Sequence, residues 1–218
     1  MPVQRDSYFQ LLQEVSAAGA TLIAVSKKKS AAEIQELYDL GHRDFGENYV
    51  QELIQKVPLL PTDIRWHFIG HLQRNKVKLI LPFCSLIQGV DRSELLEEIN
   101  KQAARIGRSV DCLLQVHIAS EETKFGLDAT ELASVLSKAD QFPSVRIIGL
   151  MGMASFTENT EQIRTEFKLL KKYFDNHRTD FNLENPVLSM GMSGDYKLAL
   201  QEGSTMIRVG SLLFGARS

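Results

Sequence analysis

The chain has 218 residues, 44% of them hydrophobic and 24% charged, enough to bury a substantial core in one domain spanning 1–218. A net charge of −2 with acids and bases interspersed excludes a nucleic-acid face and an acidic tail and points to a small-molecule partner, while Cys84 and Cys112 stand too far apart for a zinc or disulfide motif and read as buried fillers. The opening MPVQRDSYFQ lacks the apolar core of a signal peptide, and no apolar run approaches the roughly 18 residues of a membrane span, so a reducing, cytoplasmic location is expected.

An amphipathic segment at 7–18 predicts an N-terminal helix. Short runs rich in β-branched residues then alternate with longer segments of helical period. TLIAVSK (21–27) is followed by helix 30–40, RDFGEN (43–48) by 48–57, RWHFIG (65–70) by 74–81 and SLIQGV (85–90), the weakest strand signal, by 92–106. VDCLLQVHI (110–118) precedes 129–140, SVRIIGLMGM (144–153) precedes 160–178, and PVLSMG (186–191) precedes 195–202. TMIRVG (205–210) leads into a short C-terminal remnant. Ser30 with Glu33 forms a capping box, Asp91 with Glu94 and Asp128 with Glu131 imitate one, and Gly41, Gly107 and Gly203 sit where helices should stop. Eight strand-then-helix units with no linker between them predict a single α/β domain, a closed (βα)₈ TIM barrel preceded by an extra helix, rather than an open doubly wound sheet.

In such a barrel, chemistry gathers where strands end, because the interior is packed and the C-terminal mouth is open. Lys27 closes the apolar strand AVSK; partial desolvation there would free its amine for a Schiff base, although a lysine also ends a strand simply on meeting solvent. SMGMSGD (189–195) places two glycines and two serines just before a helix, and RVGS (208–211) ends the eighth strand. Loops after strands seven and eight commonly cradle phosphate with backbone N–H groups, but glycines there also serve tight β-to-α turns. His67 and His71 are four apart, yet WHFIG reads as a strand, so no metal is expected; His67 lines the mouth or is a bonded core histidine. Glu47 and Asn48 would orient a ligand or cap a helix.

Six segments in order resemble one family: AVSK (24–27), FGENYVQE (45–52), WHFIGHLQRNK (66–76), GLMGM (149–153), LSMGMSGD (188–195) and STMIRVGSLLFGAR (204–217) are similar to the pyridoxal phosphate homeostasis proteins. The resemblance runs nearly end to end. It implies a fold-type III barrel like the N-terminal domain of alanine racemase, with pyridoxal 5'-phosphate held as a Schiff base on Lys27. It further implies that Ser189, Ser193, Gly210 and Ser211 contact the phosphate, that Arg208 faces the pyridine nitrogen, and that Asn48, His67 and Met151 line the ring. Two departures fall beside the site: His71 stands where many bacterial members have proline, and Lys28-Lys29-Ser30 replaces the usual Thr-Lys-Pro.

Arginine donates hydrogen bonds and cannot readily surrender its proton, so Arg208 beside the ring nitrogen would leave the pyridine unprotonated and the ring a weak electron sink. The expected role is therefore vitamin B6 homeostasis without fixed catalysis, storing or delivering the cofactor to apo-enzymes, with effects on amino-acid and keto-acid balance. The alternative is an amino-acid racemase with a tyrosine as second base; racemases of this fold type take it from an added β domain, whereas here the sequence stops at Ser218 and Tyr49 and Tyr196 lie near the mouth. A monomer is expected.

Overall fold

A computed structural model describes residues 3–121 and 125–215. Eight parallel strands close into a barrel in sequence order: β1 (Thr21–Val25), β2 (Asp44–Glu47), β3 (Arg65–Phe68), β4 (Cys84–Val90), β5 (Val110–Gln115), β6 (Val145–Met151), β7 (Val187–Ser189) and β8 (Met206–Val209). Closure is direct, since Thr21 to Ala24 pair in register with Met206 to Val209.

The helices follow the predicted alternation. They are α1 (Arg5–Ala17), α2 (Ala31–Asp39), α3 (Val50–Lys56), α4 (Val77–Ile80), α5 (Ser93–Arg105), α6 (Ala129–Leu136), α7 (Thr160–Asn176), α8 (Tyr196–Gln201) and α9 (Ser211–Phe214). Ser30 and Asp128 close complete capping boxes with Glu33 and Glu131, each satisfying two backbone N–H groups that the first turn would otherwise leave bare. The third imitation does not form. Arg92 occupies the cap of α5, and the Asp91 carboxylate instead accepts hydrogen bonds from His71 Nδ1 at 2.9 Å and Arg92 Nη1 at 2.5 Å. The Arg92 guanidinium, a charged donor, outcompetes a backbone N–H for a carboxylate that is nearly buried.

Alternation along the strands makes two cores. Phe45, Trp66, Phe68, Leu114, Leu150 and Ile207 face outward and meet Ile34, Leu53, Ile99, Leu132 and Phe167 from the helices. Ile23, Leu86, Leu113, Ile148, Met151 and Met206 face inward and fill the barrel. Cys84 and Cys112 are buried free thiols, both pushed well above the ordinary thiol range by burial, and belong to the outer core as fillers. The strands are not uniform: register shifts occur between Trp66 and His67, between Ile87 and Val90, and between Cys112 and Leu113. At the last of these sits Gly149, with φ +153°, where a Cβ would lie 1.9 Å from the Val187 carbonyl oxygen. Only glycine fits there.

Among the described residues, no helix is long and apolar enough to cross a membrane.

Candidate functional site

Lys27 stands two residues past the end of β1, after Ser26, and is half-buried. Since β1 pairs with β2 on one side and β8 on the other, Lys27 leaves the barrel between the loops that begin at Asn48 and at Gly210. The backbone on either side of it is pinned. Lys56 of α3, nearly buried, donates from Nζ to the Ser26 carbonyl at 2.9 Å and to Glu47 Oε1 and Glu52 Oε2, both at 2.7 Å. Ser26 Oγ also donates to Glu47 Oε1 at 2.7 Å, and the Lys28 N–H donates to Glu52 Oε2 at 2.7 Å. Lys28 adopts φ +60°, a left-handed conformation uncommon outside glycine, which this ring of bonds over-determines. Burial pushes the Glu47 carboxyl up, against the opposing pull of Lys56 and Ser26. Neither Lys56 nor Glu52 stands out in the sequence, because both lie in what reads as an ordinary amphipathic helix.

Arg208 points inward from β8 and is 3% exposed. Its Nη1 donates to Ser189 Oγ at 2.6 Å and its Nη2 to the Gly152 carbonyl at 3.0 Å, both uncharged acceptors. Burial pushes it down to about 10, partly offset by the negative Asp195, so it stays cationic near neutrality. Ser189 is fully buried, and its hydroxyl donates to Gln88 Oε1 at 2.7 Å. Gln88 in turn lies 3.2 Å from His67 Nδ1, and His67 Nε2 lies 3.2 Å from Asp44 Oδ1. The structure thus gathers Arg208, Ser189 and His67 in one interior row with Met151 buried in the same barrel core.

Ser193 and Gly210 lie on the two loops after β7 and β8, and Ser211 opens α9. The Gly210 N–H donates to Ser193 Oγ at 3.2 Å, tying one loop to the other. Gly191 makes the turn out of β7 with φ +96°, where a Cβ would sit 2.5 Å from that of Ala199. On the far side of Lys27, Asn48 Oδ1 is buried and has no hydrogen-bond partner among the described residues.

The two mouth tyrosines differ. Tyr49 is half-exposed, whereas Tyr196 turns its hydroxyl onto Glu14 Oε2 of α1 at 2.8 Å and is pushed up to about 12 by burial and by that carboxylate. His71 is directed away from His67: it bonds Asp91 and stacks on Phe125 with ring centroids 4.1 Å apart. Among the described residues, no group of three or more His, Cys, Asp or Glu side chains is disposed to hold a metal ion.

The family described as alanine racemase, N-terminal domain, matches residues 7–218. A pyridoxal phosphate homeostasis protein of Aquifex aeolicus is 39% identical over 199 residues, covering 91% of this chain and 87% of that one. The chain belongs to the pyridoxal phosphate homeostasis protein family. Solved structures are similar in three dimensions as well. PipY of Synechococcus elongatus without PLP is 36% identical with a TM-score of 0.89, covering 96% of this chain and 99% of that one. PipY with PLP bound is 37% identical with a TM-score of 0.82, over 90% and 93% of the two chains. An alanine racemase of Bartonella henselae, 16% identical with a TM-score of 0.73 over 94% of this chain and 56% of its own, shares the fold alone.

Proposed function

We propose that this chain, as one barrel domain over residues 1–218, binds pyridoxal 5'-phosphate on Lys27 and serves intracellular vitamin B6 homeostasis in the cytoplasm, storing or delivering the cofactor rather than running one reaction. The observation that carries this is Arg208: a buried, donor-only cation, held from behind by two neutral oxygens, at the seam of the barrel from which Lys27 emerges. The residues present fit the group. Asn48 offers an unpartnered buried oxygen, and the Ser193–Gly210 contact draws two glycine-bearing loops together where an anion would meet backbone N–H groups.

When bound, PLP supplies an aldehyde that exchanges between a protein lysine and free amines, so that capture and release are reversible. The protein's part is positional. Ser193, Gly210 and Ser211 would hold the phosphate, Asn48 and Met151 would border the ring, and Ser189 and His67 would act from beneath. Arg208 can give a hydrogen bond to the ring nitrogen while keeping its own proton, which leaves the ring a poor acceptor of electrons and disfavours transamination above all. Tyr196 is committed to Glu14 and raised in pKa, which supports a non-enzymatic role over a racemase.

The test is an absorption spectrum of the purified protein before and after borohydride, followed by peptide mass analysis. A visible band that vanishes on reduction, with the added mass on Lys27, is the expected result, and Lys27→Ala should lose the band while keeping the fold. Modification of Lys28 or Lys29 instead would overturn the assignment. Racemase turnover in the common enzyme range, about 1 to 10³ per second, would overturn the non-enzymatic role.

A further inference from the structure

Four hydrogen bonds cross the barrel interior end to end. Arg208 Nη1 meets Ser189 Oγ, Ser189 Oγ meets Gln88 Oε1, Gln88 Nε2 meets His67 Nδ1, and His67 Nε2 meets Asp44 Oδ1, at 2.6, 2.7, 3.2 and 3.2 Å. The five residues come from β8, β7, β4, β3 and β2, and the row runs from the mouth to the N-terminal rim, where Arg65 Nε closes on Asp44 Oδ1 at 2.6 Å.

The chemistry of the two ends decides everything between them. A guanidinium only donates, and a carboxylate only accepts. The three groups in the middle are each ambiguous alone: a hydroxyl can rotate, an amide can flip, and an imidazole has two tautomers. With Arg208 donating to Ser189, the serine proton is free to go to Gln88, which must then present its oxygen to serine and its NH₂ to histidine. His67 must accept at Nδ1 and carry its proton on Nε2, facing Asp44. The opposite histidine tautomer would turn a lone pair toward the carboxylate and force the Gln88 amide to flip. Ser189 would then face two donors and lose the acceptor for its own proton. Gln88 and Ser189 are fully buried and His67 nearly so, where no water compensates an unmade bond and each unmade bond costs most.

We infer that Gln88, His67 and Asp44 are positioning residues that hold Arg208 against the cofactor's ring nitrogen through one directional hydrogen-bond chain. The inference rests on the cofactor reading of the mouth but makes a separate claim. The guanidinium is aimed by groups on the opposite side of the barrel, and the direction of every link is set by the Asp44 end as much as by the Arg208 end.

Two measurements test it. Nitrogen-15 NMR of histidine-labelled protein at neutral pH, with the signal assigned by its loss in His67→Asn, should show His67 protonated at Nε2 and accepting a hydrogen bond at Nδ1, with or without added PLP. A ring protonated at Nδ1 would overturn the chain with no variant needed. The second measurement is a double-mutant cycle on PLP retention and on the pH midpoint of the visible band. Gln88→Met, nearly isosteric but unable to bridge, should weaken retention on the order of tenfold and move the midpoint in the same sense as Arg208→Gln. The double variant should resemble Arg208→Gln alone, because the first change acts through the second residue. If Gln88→Met fails to fold, Ser189→Ala takes its place in the cycle. Additive effects, or a band unmoved by Gln88→Met while Arg208→Gln shifts it, would overturn the positioning role and leave the cofactor site standing. Failure of the unaltered protein to bind PLP would overturn both.

Discussion

Lys56 Nζ lies 2.9 Å from the carbonyl oxygen of Ser26, the residue that precedes Lys27, so a helix side chain fixes the backbone from which Lys27 departs. The same ammonium neutralises Glu47, which is fully buried. Lys56→Met should therefore destabilise the fold by about 3–5 kcal/mol, since it strands a buried carboxylate. Pairing it with Glu47→Gln should recover a substantial part of that loss in denaturant unfolding. Equal losses in the single and double variants would show that the two side chains are not coupled.

Glu47 also gives the chain a pH signature. Its folded pKa is raised, chiefly by burial, so its contribution to stability is fully present below the ordinary carboxylate range and is lost as pH rises through the raised folded value. Unfolding of the parent and of Glu47→Gln, followed from acid to neutral pH, should therefore move in the variant's favour as pH increases. A constant difference would show that the carboxyl titrates alike folded and unfolded.

Asp44 works in the opposite sense. Burial acts to raise its carboxyl, but the hydrogen bonds from His67 and Arg65 outweigh this and hold it well below the usual range. A lowered folded pKa contributes stability above the unfolded value of 3.8 and loses it as pH falls. Asp44→Asn should be less stable than the parent at neutral pH, with the gap narrowing as the solution is acidified below about pH 4. A gap that widens in acid would contradict the ion pair with Arg65.

The phosphate contacts proposed for Ser193 and Ser211 predict a graded response. Ser193→Ala and Ser211→Ala each remove one hydroxyl while the backbone donors remain, so each should weaken PLP retention by about 1–3 kcal/mol. Unchanged retention in the double variant would place the phosphate elsewhere.

In the proposed placement at the ring nitrogen, Arg208 sets the reactivity of the site. Arg208→Glu would put a carboxylate where a cation now donates, favouring a protonated ring and a stronger electron sink. Provided it folds and binds, this variant should slowly lose its visible band on incubation with L-alanine, whereas the parent keeps it. Identical time courses in two loaded proteins would remove Arg208 from the ring nitrogen.

The barrel was legible in the sequence because its determinants are local. Each strand announces itself by a β-branched run, each helix by its period, and the Ser30–Glu33 and Asp128–Glu131 boxes by residues three apart that bond whatever lies beyond. The position of Lys27 at the end of the first strand was legible for the same reason, while its proposed role came from the family resemblance. Asp91 shows the limit of such signals, since His71, 20 residues earlier, takes the carboxylate that a local rule assigns to a cap.

The interior row could not be read in advance. Gln88 and Ser189 are 101 residues apart and meet only because the barrel closes. Alternation alone does not say which strand residues face inward, because shifts of register at β3–β4, β4–β5 and β5–β6 break the count of two. Lys56 was hidden differently: a lysine on a helix reads as a solvated charge until tertiary packing lays it over Glu47 and the Ser26 carbonyl. Sequence determined the elements, their order and the lysine at the mouth. Closure of the barrel decided which polar side chains are buried together, because only there does the cost of an unmade hydrogen bond force them into one arrangement.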